Sequence, residues 1–160
     1  MFGDTVDTRK VHFLIGRRII HRDLKTANIF LNVNKQLKIG DFGISKSLDQ
    51  SQMAATAMVG TPYYLSPEMV EGKPYSTKSD IWALGVILYQ LCSLKLPFEA
   101  NSLPVLALKI LKGSFPPIPN QFSKDMKSLI LQMLQVDQKK RPSVDNILLK
   151  PFIFKFLSKE

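Results

Sequence analysis

The chain has 160 residues, 45% of them hydrophobic and 22% charged, which is enough for one domain with a real core and ordinary globular composition. Its formal charge of +9 is spread along the chain, with short basic clusters only at Arg17-Arg18 and Lys139-Lys140-Arg141. That pattern argues for a solvated basic surface and against a nucleic-acid partner.

Met1 to Lys10 is polar, lacks the apolar core of a secretion signal and stays unassigned. Ile29-Phe30-Leu31 and Leu37-Lys38-Ile39 are apolar triplets flanking the polar turn Asn32 to Gln36, which predicts a β-hairpin. Antiparallel pairing sets the start of the first strand beside the end of the second. Asn28 precedes the first strand and Asp41 follows the second, while Asp23 and Lys25 lie on the loop leading in. An amide oxygen and two carboxylates with an ammonium nearby can hold Mg²⁺ and a phosphate and orient a hydroxyl.

Ile44 to Pro67 is rich in Ser, Thr, Ala and Gln without an apolar period, and reads as a long functional loop. Ser79-Asp80 is a good helix opening, and the segment to Ser93 is apolar nearly all round, so it should be buried on most sides. The uncharged apolar stretch between Asp80 and Lys95 is too short to cross a bilayer. Cys92 within it, the single cysteine, excludes an internal disulfide, fits a reducing compartment and reads as a buried structural thiol. Leu96-Pro97-Phe98 breaks the chain, Leu103 to Leu111 reads as an amphipathic helix, and Gly113 with Pro116, Pro117 and Pro119 makes a stiff connection. Ser123 opens a helix with Met126, Leu129, Ile130, Met133 and Leu134 at helical spacing, where the methionines fill the core. Ser143 starts a short helix through Leu149, which Pro151 is expected to stop. The chain is expected to be soluble, cytoplasmic and without a membrane partner.

His21-Arg22-Asp23-Leu24-Lys25-Thr26-Ala27-Asn28 and Asp41-Phe42-Gly43 match the catalytic-loop and metal-loop signatures of protein kinases. Either motif alone is weak. Together, and followed by Gly60-Thr61-Pro62-Tyr63-Tyr64-Leu65-Ser66-Pro67-Glu68, they are highly specific. The chain resembles the large C-terminal lobe of a serine/threonine protein kinase over about residues 11–156. The wording HRDLKTAN-IFL and GTPYYLSPE is closest to the NIMA-related kinases. The fold implied is mainly α with a small β-hairpin. The small β-lobe of a complete kinase, with its Gly-rich loop, strand lysine and helix glutamate, finds no match in the ten residues before Val11.

The resemblance implies roles residue by residue. Asp23 would orient the substrate hydroxyl and receive its proton, Lys25 would neutralise the transferring phosphate, and Asn28 and Asp41 would hold Mg²⁺ on ATP. Lys25, two residues beyond Asp23, is the Ser/Thr-type arrangement, so the substrate would be a protein serine or threonine. Thr61 would bridge Asp23 and Lys25, or would simply be a turn residue before Pro62. Arg22 beside Asp23 is the arrangement of kinases switched on by loop phosphorylation; with Lys46 it would receive a phosphate on Thr56, or on Ser51, added by an upstream kinase or by self-phosphorylation. Glu68 would form a buried ion pair with Arg141. Asp80 would accept hydrogen bonds from the catalytic-loop backbone or act as a helix N-cap. His12 and the residues from Val11 would pack as a helix end.

Two classes of function stand on these residues. One is an enzyme, a kinase whose 160 residues turn over poorly alone for want of small-lobe parts. The other is a module that docks substrates or partners through its helical lobe without catalysis. The full set of Asp23, Lys25, Asn28 and Asp41 favours the first, since docking does not require them.

Overall fold

The computed structural model describes residues 20–34, 36–40 and 62–157. Asp41, Lys46, Thr56 and Thr61 lie outside them, as do Ser51 and the segment 11–19. The described chain is mainly helical with one small antiparallel sheet.

Strands β1 (Ile29–Leu31) and β2 (Leu37–Ile39) pair in the register Ile29↔Ile39, Phe30↔Lys38 and Leu31↔Leu37. Asn32 closes the turn between them: its Oδ1 accepts from the Gln36 N–H at 2.8 Å and its own N–H donates to the Gln36 carbonyl at 3.0 Å. A short 3₁₀ turn, Thr26–Asn28, leads directly into β1.

Among the described residues that follow are six α-helices, which we number α1 (Pro67–Val70), α2 (Thr77–Ser93), α3 (Leu103–Lys112), α4 (Lys124–Met133), α5 (Val144–Leu148) and α6 (Pro151–Leu157). Helix α2 begins before the expected Ser79. Ser76 is its N-cap, accepting from the Lys78 N–H, while the Ser79 hydroxyl accepts from the Ser76 N–H; this reciprocal pair makes Ser79 the third helical residue. Asp80 is therefore inside the helix and not its cap. Ser123 and Ser143 cap α4 and α5, each accepting an N–H three residues on. Pro151 does not stop α5, which ends at Leu148; it opens α6, where a missing N–H costs nothing. The end of the long Ser/Thr-rich loop is also ordered, in a 3₁₀ turn over Pro62–Tyr64.

Helix α2 is the centre of the core. Trp82, Val86 and Tyr89 pack with Phe98, Leu106, Ile110, Ile130 and Leu134, and Ile81 joins Leu129, Met133 and Ile147 in a second cluster. Trp82 stacks on Phe98 with ring centres 5.5 Å apart, and Phe115 meets Phe98 and Tyr89 edge-on. Where α2 crosses α4, a Cβ added to Gly85 would lie 2.9 Å from the Met133 Cβ and 3.0 Å from a Leu134 methyl, so only glycine allows this approach.

Polar contacts then tie the helices together. Arg141 is buried and uses all five N–H donors. Nη1 and Nη2 donate to the two Glu68 oxygens at 2.7 Å each, and the remaining hydrogens reach the carbonyls of Lys78, Gln135 and Val136. Its guanidinium also lies 5.0 Å from the centre of the Trp82 ring. Glu68 Oε1 takes a further bond from the Ser79 hydroxyl at 2.7 Å.

Removing one partner of such a pair strands a buried charge, which costs about 3–5 kcal/mol. Arg141→Ala should lose that much in denaturant unfolding, while Lys139→Ala, on the surface, should stay within about 0.5 kcal/mol of the parent. Equal losses would show that Glu68 is not stranded. The pair also sets an acid limit. Burial alone would push the Glu68 carboxyl up, but the bonds from Arg141 and Ser79 outweigh it and hold it below its usual 4.5. The stabilisation is thus complete above about pH 4.5 and is lost as pH falls through the lowered value. In unfolding series run downward from pH 6, Glu68→Gln should flatten this part of the acid dependence; an unchanged slope would assign it to other carboxylates.

Candidate active site

The loop from His21 to Asn28 is shaped by its own side chains and by α2. Asp80 on α2 reaches back across the chain: Oδ2 accepts the His21 N–H at 2.9 Å and Oδ1 the Arg22 N–H at 3.1 Å. Arg22 has φ 70, a left-handed conformation costing about 1–2 kcal/mol in a non-glycine residue, and the two bonds to Asp80 hold the backbone there. Buried His21 serves from inside. Its Nδ1 accepts the Asp23 N–H at 3.3 Å and its Nε2 lies 3.3 Å from the Gly40 carbonyl, a pattern that places the proton on Nε2.

That framework presents three of the expected residues together. Lys25 Nζ lies 2.8 Å from Asp23 Oδ2. Asn28 is buried, and its Nδ2 donates to the same Oδ2 at 2.9 Å and to the Asp23 carbonyl at 2.8 Å. Asp23 Oδ1 takes no hydrogen bond among the described residues, and the side chain is 43% exposed. One oxygen is thus fixed by two donors and the other is open to a ligand. The Gly40 N–H donates to the Asn28 carbonyl at 2.9 Å, so the hairpin joins Asn28 to the residue preceding Asp41 in sequence.

Three contributors have no role assigned to them individually by the sequence, two of them within the quoted motifs and Tyr75 outside them. His21 is one. Tyr64 is another: its hydroxyl lies 2.9 Å from Thr26 Oγ1 and donates to Gln90 Oε1 on α2 at 3.1 Å. The segment before α1 is thereby linked to both the loop and α2. Tyr75 is the third, its hydroxyl hydrogen-bonded to Asp80 Oδ1. Nothing in spacing or periodicity signals these contacts, which join residues brought together only by packing. Beside Tyr63 an open groove of about 510 Å³ is lined by Glu99, Asn101, Ser102, Val105 and Lys109.

Glu68, Arg141 and Asp80 belong to the scaffold below this site. Asp41, Thr56, Thr61 and Lys46 lie outside the described residues. Tyr64→Phe should remove the tie to Thr26 while keeping the ring. We expect faster amide exchange at Thr26 and a stability loss within about 0.5–1.5 kcal/mol per bond removed; unchanged Thr26 exchange would show that the hydroxyl does not restrain the loop.

The Protein kinase domain family matches residues 8–153. Among curated relatives, the probable serine/threonine-protein kinase nek3 of Dictyostelium discoideum is 51% identical over 153 residues, covering 93% of this chain and 14% of that protein. Serine/threonine-protein kinase Nek1 of Mus musculus is 50% identical, covering 89% of this chain and 12% of its own length. Serine/threonine-protein kinase Nek8 of Danio rerio is 56% identical, covering 83% and 19%. The chain thus spans only 12–19% of the lengths of these relatives. With the family match extending over nearly all of it, and with half or more of its aligned residues shared with these proteins, the chain belongs to the protein kinases, in the NIMA-related serine/threonine group.

Proposed function

We propose that the chain carries the phosphoryl-transfer face of a NIMA-related serine/threonine kinase, acting on protein substrates with ATP and Mg²⁺. The observation that supports it most is Asp23, with one carboxylate oxygen fixed by Lys25 and Asn28 and the other without a hydrogen bond among the described residues. In this reading Oδ1 accepts the proton of a serine or threonine hydroxyl as that oxygen bonds to the γ-phosphorus, and ADP leaves with the bridging oxygen. Lys25 lies where it can neutralise charge on the transferring group. The donor set suits a hard cation: Asn28 turns its Nδ2 to Asp23, which leaves its Oδ1 for the metal, and Asp41 supplies a carboxylate. Bound Mg²⁺ supplies charge neutralisation and alignment of the phosphates.

Regulation follows the same chemistry. A phosphate on Thr56, from an upstream kinase or from the protein itself, would pair with Arg22 and Lys46, and Thr61 would bridge Asp23 and Lys25. The cytoplasm is the proposed location, on the strength of a single buried thiol.

The 160 residues contain no G-x-G-x-x-G sequence to cover the nucleotide phosphates. In-line transfer is sensitive to placement, and about 1 Å of error costs about 100-fold. Purified residues 1–160 should therefore bind ATP weakly and only with Mg²⁺, and transfer phosphate barely above an Asp41→Ala control. Absence of any Mg²⁺-dependent ATP binding would sink the enzyme reading. Turnover near ~1 s⁻¹ that vanishes in Asp23→Asn would instead show that the 160 residues suffice.

The groove beside Tyr63 favours a second reading, a docking module. Val105 lines it, and both Val105 and Leu108 on α3 are exposed. Substrate capture undiminished in Asp23→Asn and lost in Val105→Asp would support that role.

A further inference from the structure

Asp80 grips the loop through a carboxylate that must keep both oxygens in place at once. An aspartate side chain is poorly suited to this, because its terminal torsion is broad and the carboxylate turns easily about the Cβ–Cγ bond. Two backbone amides are its loop partners, and one belongs to Arg22, whose left-handed backbone pulls toward relaxation. Something else should hold the carboxylate still.

We propose that Tyr75 is a positioning residue for the catalytic loop, acting through Asp80: its hydroxyl hydrogen bond fixes Oδ1, so that the carboxylate stays turned to the His21 and Arg22 amides. Its bearing on phosphoryl transfer rests on the kinase reading above; the positioning itself does not.

The surroundings of Tyr75 fit this role. It lies on the segment between α1 and α2, and that segment is fixed on both sides. Before it, the Lys73 N–H donates to the Glu68 carbonyl at 2.8 Å. After it, Ser76 caps α2 and donates its hydroxyl to Gln138 Oε1 at 3.1 Å. The backbone on either side of Tyr75 is therefore anchored, which limits where its ring can go. Burial, and then the neighbouring Asp80 charge, push the phenol above its usual range, which favours the protonated, donating form. A hydroxyl in this position also links the loop to Glu68 and Arg141, because the Glu68 carbonyl anchors the segment while its carboxylate anchors Arg141.

The test uses the 160-residue chain and no nucleotide. In Tyr75→Phe, which keeps the ring, amide exchange at His21 and Arg22 should accelerate about tenfold, the equivalent of one hydrogen bond. Exchange at Val86, in the middle of α2, should not change. No acceleration at either loop amide would overturn the proposal. So would an acceleration matched at Val86, because that would make the hydroxyl a general stabiliser. If the variant does not fold, the parent chain decides: a resolved, slowly exchanging Tyr75 hydroxyl proton supports the proposal and one in fast exchange with water overturns it. Failure of ATP binding would sink the kinase reading and leave these exchange rates untouched.

Discussion

A guanidinium placed out of reach of water carries a penalty of several kcal/mol unless each of its hydrogens finds an acceptor. Arg141 meets that condition in full, with two carboxylate oxygens and three backbone carbonyls around it. The acceptors come from separate parts of the chain: Glu68 on α1, Lys78 in the first turn of α2, and the two residues Gln135 and Val136 that follow α4. Satisfying one side chain thus fixes three helices relative to one another. A lysine would bring a single point charge with three donors and would leave carbonyls unpaired, so charge alone is not what the position needs.

From that fixed point the geometry runs to the site in a few steps. The Glu68 carboxylate holds Ser79 in the capping box of α2, and Asp80 follows Ser79 directly. Helix α2 can place Asp80 accurately because apolar packing surrounds the rest of it and Gly85 lets α4 approach without a gap. Asp80 then shapes the backbone at His21 and Arg22, and His21 braces the Asp23 amide. The side chains of Asp23, Lys25 and Asn28 are therefore the last members of a series that starts in the core. Catalytic geometry needs such support, since errors of a fraction of an ångström weaken it.

Much of this was legible before any coordinates. The hairpin showed in two apolar triplets and an Asn-rich turn, and α3 and α4 in their apolar spacing, because those signals are local. The start of α2 was misplaced for an equally local reason. Ser79-Asp80 has the local look of a helix opening, and only the reciprocal bonds between Ser76 and Ser79 show that Ser79 is already inside. Pro151 was read as a stop because proline breaks helix interiors, yet the same fixed φ suits the first turn of α6. The acceptors of Arg141 other than Glu68, and the hydroxyls of Tyr64 and Tyr75, left no trace in sequence pattern. They depend on which carbonyl or carboxylate packing happens to bring within 3 Å, which is a property of the assembled core.

The bonds between Asp80 and the loop span 59 and 58 residues of chain. A ribosome adds about 5–20 residues per second, so several seconds separate the making of Arg22 from the making of Asp80. As residues are added after Arg22, Asp23, Lys25 and Asn28 enter the nascent chain, while the carboxylate that holds the His21 and Arg22 amides has yet to be added. The order of synthesis thus leaves the loop of residues 21–28 without its Asp80 support until α2 is made, and a chain released early would carry Asp23, Lys25 and Asn28 without that support.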